Sequence, residues 1–556
     1  MDEKTALWGW LDQGDLDPLA GKERAENLIK QLLGLSELCQ TPPELFDPGA
    51  MRRSRLRKAA RIALRARFGA AGFSEDPVKR ARLSLGQSYP DQLKRRSGIV
   101  ENPVDAIVSP ASVLDATDLL NLATIHKFSV TAAGGASNVV GAFNVSGDKR
   151  PRVIADMTKM SDVIEISGQD HTVTTQAGTT LPALETALNA RGLTLGHFPQ
   201  SFHGATLGGS IACNGAGQRS DGYGRLQDNL VRAEIATPSG VWTTESFRHA
   251  AGGPWLGSLA AGSEGLLGLL CNVTMRVNST PEIVEDRAWY FPDFDSACEA
   301  VRHAAQNGHT LSMLRVSDAE ETNFLGRFSD AIAGRDNPHF LQRLVLSAKR
   351  VPPRPVLLIA GFEGPRSGVK AAFEELSATS SRHGAVSLGR RPGASWRKGR
   401  YNLPYLRESL MRRGLGVDTF ETALPWHALQ DAHVAVKQSL KEIIATSRGS
   451  LPGNAAVMCH LSHCYPEGAC LYFTAIFPRN EDALAQWRVI KAQASETIVR
   501  AGGTISHHHG IGADHAEYAG VEKGERGLSL LRAVKLALDP ENVMVGGASS
   551  LLKPQH

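Results

Sequence analysis

The stretch from His203 to Gly224, HGATLGGSIACNGAGQRSDGYG, constrains this chain more than any other. Seven glycines stand there among small residues, with too few large apolar side chains to build a core. Glycine has no Cβ, so it reaches positive φ and lets backbone amides approach a ligand closely. A run of such amides makes a concavity suited to an anion, above all a pyrophosphate. An ordinary glycine-rich surface loop would read the same way in isolation, so the neighbours decide. Upstream, Val130 to Gly141 (VTAAGGASNVVG) is a second small-residue turn, following the apolar run AIVSPASV and a predicted helix. Downstream, Ala261 to Gly268 (AGSEGLLG) is a third. Three such turns set between β-type runs predict a large phosphate-bearing cofactor gripped at several points. A nicotinamide-binding βαβ unit is the competing reading. None of the turns supplies GxGxxG followed by an acidic residue about 20 positions on.

Around these turns the pattern alternates between strand and helix. Ala106–Val108, Val153–Ala155, Val163–Ile166, Thr172–Gln176, Leu230–Thr237, Val241–Thr244 and Cys271–Val277 read as strands; Ala111–His126 and Leu181–Arg191 read as helices. The fold class is α+β, with a helical N-terminal region over 1–100 and a cofactor domain over 101–280. An α/β cap or substrate domain follows over 281–500, and 501–556 brings a His-rich loop and a closing helix. Arg327 to Pro338 reads as a loop.

A net charge of +4 on 556 residues gives no reason to invoke nucleic acid. The seven cysteines are scattered without metal-type pairs, which fits a reducing compartment. The N-terminus lacks the apolar core of a signal peptide, and no run approaches the ~20 apolar residues of a membrane span. From Met51, MRRSRLRKAARIALRAR carries eight cations and is predicted helical from Arg52. Leu56, Ala60, Ala63 and Leu64 fall on one side, so the run is either a basic helix packed on its own protein or a contact for anionic lipid headgroups.

Two constellations could carry chemistry. Ser506 to Gly512 reads SHHHGIG; three histidines in an extended segment point alternately and have no obvious acidic partner for a metal, but suit proton transfer and phosphate binding. Val457 to Phe477 reads as a hairpin around Pro466-Glu467-Gly468. Pairing Ser462 with Tyr472 puts Tyr472 on a polar face with His460, Ser462, Cys470 and Thr474, while Leu471 and Phe473 enter the core.

The three turns resemble those of the FAD-binding domain of the vanillyl-alcohol oxidase and p-cresol methylhydroxylase (PCMH) family, where the first usually reads GGGTSV. Here it is Ala133-Gly134-Gly135-Ala136-Ser137-Asn138. CxxxxxYxxGACxYF, SHHHGxG, a terminal DPxN, SMLRV at Ser312–Val316, Tyr405-Leu406-Arg407, FETALPW at Phe420–Trp426 and Gly196–Ser201 together resemble the alkylglycerone-phosphate synthase branch. The resemblance implies a two-subdomain PCMH-type fold and FAD, expected to be non-covalent, with His203 the candidate for a linkage. Ala133, Gly134, Gly135, Ala136, Ser137, Asn138, Pro199, Gln200, Ser201, Thr206, Gly208, Gly209, Ser210, Asn214, Gly215, Gly217, Glu264, Gly265 and Gly268 would bind it, without a metal. It also implies Tyr472 assisting proton removal with a pKa lowered by cations, His507, His508 and His509 at the reacting face, and Arg407 and Arg315 as active-site cations. The implied reaction exchanges the acyl chain of acyl dihydroxyacetone phosphate for a fatty alcohol, using flavin N5 without net redox. A lipid-like substrate, a homodimer and a cytoplasmic location with peripheral membrane contact go with it. Related enzymes oxidise 2-hydroxy acids at a metal held by HxGDGNxH and EHGxG motifs; here His508 stands where that Glu would be. A catalytically silent FAD-binding protein is the third reading.

Overall fold

Alternation along Ala456–Cys464 and Gly468–Pro478 builds the fifth and sixth strands of a seven-stranded antiparallel sheet. Its strands run in the order Val386–Gly389, Ile283–Phe291, Val356–Gly364, Leu311–Ser317, Ala456–Cys464, Gly468–Pro478 and Leu415–Pro425. Side chains of one parity, among them Val316, Phe420, Leu461, Leu471 and Phe473, share a core with the helices Phe294–Gln306, Arg366–Arg382, Leu429–Ser447 and Ala483–Arg500. The opposite parity presents Arg315, Thr419, His460, Ser462, Tyr472 and Thr474 to a cavity. This computed structural model describes residues 4–10, 17–307, 311–334 and 351–552.

Two smaller sheets carry the glycine turns. One orders Phe73–Ser74, Ala106–Val108, Arg152–Asp156 and Ser129–Ala133, the last three parallel. Near the C-terminus the chain returns to it, where Val130 donates to Val543 O and accepts from Val545 N, both at 2.8 Å. The other is antiparallel: Val163–Ser167, Thr172–Gln176, Leu269–Arg276, Leu230–Thr237 and Gly240–Thr243.

The central stretch is fastened into the seven-stranded sheet by three side chains that its glycines flank. Arg219 is fully buried; it donates to Ser312 Oγ at 2.9 Å and forms ion pairs with Asp286 at 2.8 Å and Glu363 at 3.0 Å. Tyr223 donates to Glu363 at 2.6 Å, while Asp221 accepts from the amides of Leu314 at 2.6 Å and Cys464 at 2.9 Å. A Cβ at Gly361 would lie 1.8 Å from an Arg219 nitrogen, so the missing side chain is the slot the guanidinium occupies.

Three sequence expectations change. Tyr472 pairs with His460 and Ser462 with Cys470, two residues off the expected register: the turn closes Tyr465 on Gly468, one residue tighter than expected, and His463 bulges out at φ +51° to add the second. A shift of two preserves faces, so the polar and core assignments stand. The basic helix begins at Lys58 rather than Arg52. Arg52 and Arg55 are instead drawn to the buried carboxylate of Asp105, while Arg61 and Arg65 meet Glu75 and Arg67 meets Asp115 and Asp118. With Leu56, Ala60 and Leu64 buried, that face belongs to the protein's own packing. Arg327 to Ile332 is the end of the helix Ala319–Ile332, not a loop; positions 335–338 lie outside the described residues.

Replacing Arg219 by Met should leave two buried carboxylates underpaired, Asp286 with Arg397 alone and Glu363 with the Tyr223 hydroxyl alone, and cost about 3–5 kcal/mol. Urea unfolding monitored by circular dichroism checks this, and a loss under 1 kcal/mol would show that the cluster is not what holds the stretch.

Candidate active site

At the cofactor end the three glycine turns close against one another. An added Cβ would sit 1.7 Å from Gly204 O at Gly135, 2.1 Å from Thr206 Oγ1 at Gly134, and 2.6 Å from Ala177 Cβ at Gly208. Packing therefore dictates glycine at all three. Ala136 holds φ +50°, the left-handed conformation its glycine neighbours would adopt more readily. Among the described residues, the amides of Gly135, Ala136, Ser137 and Asn138 donate to no protein acceptor. Half-buried donors of this kind need a partner, and successive amides facing one cavity suit a pyrophosphate. His197, only 4% exposed, lines the same cavity with neither ring nitrogen hydrogen-bonded. The donor set fits FAD.

Of the expected cofactor residues, all but Asn214 and Gly217 line this cavity. The Asn214 side chain turns away to Gln227 at 3.0 Å, and Gly217 packs on the Phe198 amide. Glu264 lines it too, but its carboxylate accepts from the amides of Ile511 at 2.5 Å and Gly512 at 2.9 Å. It thereby ties the third turn to the histidine loop. His203 is exposed, its ring against Phe202 and Tyr401, away from the cavity wall.

At the other end, Ser317, His460, Tyr472 and Glu421 stand opposite one another on four adjacent strands. The His460 ring lies 4.9 Å from the Tyr472 ring and within 20° of its plane; His508 lies 5.9 Å away at 19°, and His509 meets it edge-on at 5.4 Å. Tyr472, His508, His509, Arg315 and Arg407 all line the cavity that the glycine turns open into. His507 stands behind them, its Nε2 2.8 Å from the Tyr465 hydroxyl. Arg315 is less free than expected: Glu321 Oε1 accepts from it at 3.0 Å and meets His460 Nδ1 at 3.0 Å. Burial alone would raise Glu321, but the charges of Arg315 and His460 bring it down to about 2.

Glu421 organises the histidine loop. One carboxylate oxygen accepts from the Ser506 hydroxyl at 2.9 Å and from the amides of His507, His508 and His509 at 3.0, 2.8 and 2.7 Å. The other lies 2.6 Å from His508 Nδ1. The loop is thus a turn wrapped on a carboxylate rather than an extended run, and the acidic partner missing from the sequence reading is present. Glu421, Cys470, His507 and His508 bring ligand atoms within 4.8 Å of one another. Burial favours the neutral acid, yet the surrounding imidazoles hold Glu421 well below the usual carboxylate range. Burial pushes His509 down to about 4 and His197 to about 3.

The expected lowering of the Tyr472 pKa is reversed. Burial raises it, a hydrogen bond with Thr419 opposes, and Glu421 and Asp418 add to the rise. Tyr472 lies on the cavity-facing side that the hairpin pattern predicts, but the pattern does not announce the acids around it. Glu421 lay within FETALPW, but its part is set by a loop 85–88 residues later.

Glu421→Gln keeps an acceptor for the loop but removes the charge. Because the folded pKa of Glu421 is depressed, its stabilisation is full above the unfolded value and lost as pH falls through the folded one. The wild-type stability advantage over this variant should be complete at about pH 7 and shrink only below about pH 4. Paired denaturant titrations across that range measure it.

Two family profiles match the chain: the FAD binding domain over residues 104–245 and the FAD linked oxidases, C-terminal domain, over 281–547. The alkyldihydroxyacetonephosphate synthase of Dictyostelium discoideum is 31% identical over 484 residues, 86% of this chain and 79% of that protein. That of Trypanosoma brucei brucei is 30% identical over 471 residues, 83% and 76% of the two chains. A solved structure of an alkyldihydroxyacetonephosphate synthase superposes with a TM-score of 0.80 at 28% identity, covering 94% of this chain and 92% of that one. The PCMH-type FAD-binding fold expected from the glycine turns is the fold observed. By these likenesses the chain belongs to the alkyldihydroxyacetonephosphate synthase family of FAD-linked enzymes.

Proposed function

We propose that this protein exchanges the acyl chain of an acyl dihydroxyacetone phosphate for a fatty alcohol, with FAD bound non-covalently. One observation carries the reading beyond family membership. Arg407 lines the cavity beside Tyr472, and among the described residues no carboxylate pairs with it. An unpaired guanidinium in a site walled by Phe324, Leu325, Leu406, Leu410, Val417, Met458 and Ile476 suits a molecule with an anionic head and hydrocarbon chains.

The chain's own groups divide the work. Arg407 anchors the phosphate through a two-pronged hydrogen bond, which fixes the neighbouring ketone. Tyr472, kept protonated by burial, donates to the substrate and can pass a proton on once its own has somewhere to go. The His508–Glu421 pair, 2.6 Å apart, is where a proton removed next to the ketone can be held. Arg315, Glu321 and His460 form a fixed ionic set behind the ring of Tyr472 and keep it in place. When bound, FAD supplies an electron-accepting ring that allows a bond at this carbon to break and re-form. The apolar wall keeps water from competing with the alcohol. In this reading the protein is a cytoplasmic homodimer that meets a membrane peripherally to collect its substrates. The lipid character of those substrates supports the membrane contact; no helix among the described residues is long and apolar enough to cross a membrane.

Under argon, acyl dihydroxyacetone phosphate should bleach the flavin band, whereas D-lactate and glycolate should not; the converse pattern would make this a hydroxy-acid enzyme. Tyr472→Phe should retain FAD and lose roughly 10²–10⁴-fold in turnover; activity within a few-fold of wild type would make Tyr472 structural. Acid precipitation should leave the yellow colour in the supernatant, and colour in the pellet would contradict non-covalent binding.

A further inference from the structure

The N-terminal region carries two tryptophans in four residues, Leu7-Trp8-Gly9-Trp10, in a part of the chain assigned above to no function. The structure puts one of them in the active site. Thr5 and Phe46 exchange both backbone hydrogen bonds, at 3.1 and 2.9 Å, and Leu7 packs with Phe46 and Ala81. The Leu7 carbonyl accepts from Arg95 Nη1 at 2.8 Å. Gly9 then takes φ +105°, a conformation that L side chains rarely adopt, and the turn delivers Trp10 into the cavity wall, 7% exposed. The Trp10 ring lies 5.8 Å from the guanidinium carbon of Arg407.

Among the described residues, no ion pair or hydrogen bond orients Arg407. The acids nearest it in charge are engaged elsewhere: Glu408 with Arg96, Asp418 with the Trp487 indole N–H at 2.7 Å, and Asp91 with Ser88 and the Gly86 amide. A long cationic side chain without an ion pair samples several rotamers unless something holds it. An aromatic face attracts a guanidinium while leaving its N–H edges available to a fork-shaped acceptor. We infer that Trp10 is a positioning residue: its indole holds the Arg407 guanidinium toward the cavity, so that the N-terminal segment completes the site for the substrate's anionic headgroup. That the anion is a phosphate rests on the function proposed above; the positioning role does not.

The test is binding of glycerol phosphate to the holoprotein, read from perturbation of the flavin spectrum, with D-lactate as a carboxylate comparison. Trp10→Leu keeps an apolar wall and removes the ring. It should weaken binding on the order of 3- to 30-fold, whereas Trp10→Phe should stay within about 3-fold of wild type. In an Arg407→Gln background Trp10→Leu should change nothing further, because the effect runs through the guanidinium. An equal loss in that background, or no loss in wild type, overturns the inference and leaves the phosphate reading standing. If wild type binds only D-lactate and the coupling appears with it, the phosphate reading falls and the role of Trp10 stands. If wild type binds neither anion, both fall.

Discussion

The buried charge cluster around Arg219 is the interaction on which the rest of this structure depends. A glycine-rich stretch gains the close approaches a cofactor requires at the expense of any hydrophobic core of its own. Something else must fix it, and here the fixing agents are polar. Arg219, Asp221 and Tyr223 enter the seven-stranded sheet and meet Asp286, Ser312, Glu363 and the amides of Leu314 and Cys464. The glycine stretch on which Gly134 and Gly135 pack and the strand that bears Arg315 are therefore tied to each other. Glu264 makes a second tie, from the third glycine turn to the histidine loop. Cofactor end and chemical end share a cavity because these side chains leave the intervening elements nowhere else to sit.

Within that cavity burial and charge act in opposite directions on neighbouring groups. Burial alone would neutralise Glu321 and Glu421, yet cationic or imidazole neighbours keep both ionised. Tyr472 has the same burial but acids for company, so its phenol stays protonated. The outcome is a proton donor between two fixed carboxylates, Glu421 beside it on the sheet and Glu321 on the helix Ala319–Ile332 beyond His460, each with its own imidazole. Charge separation of this sort is what an acid–base site requires, and it arises from the register of the strands together with the helix that carries Glu321.

Much of this was legible in the sequence, within physical limits. Glycine at 134, 135 and 208 announced close backbone approach, and close approach is what the structure shows. The faces of the hairpin were read correctly although its register was not, since a tighter turn and a bulge at His463 each shift pairing by one and together leave side-chain parity unchanged. Long-range partners were not legible. Arg219 looked like one polar residue in a loop, because Asp286 lies 67 positions later and Glu363 further still. Glu421 read as part of a motif and not as the acceptor for three consecutive amides. Trp10 could have been suspected only from two tryptophans lying so close together in an otherwise irregular segment. The start of the basic helix failed for a similar reason: Asp105, about 50 residues on, holds Arg52 and Arg55 out of it.

If one cavity holds both the phosphate anchor and the flavin cradle, substitution at the substrate carbon needs no external electron acceptor. The direct measurement is product balance under argon, with acyl dihydroxyacetone phosphate, a long-chain alcohol and no oxidant present. The account predicts one fatty acid released for each ether-linked product formed, over many turnovers, with the flavin returned to its oxidised spectrum. A reaction that stops after one turnover with reduced flavin, or proceeds only when oxygen is admitted, would contradict it.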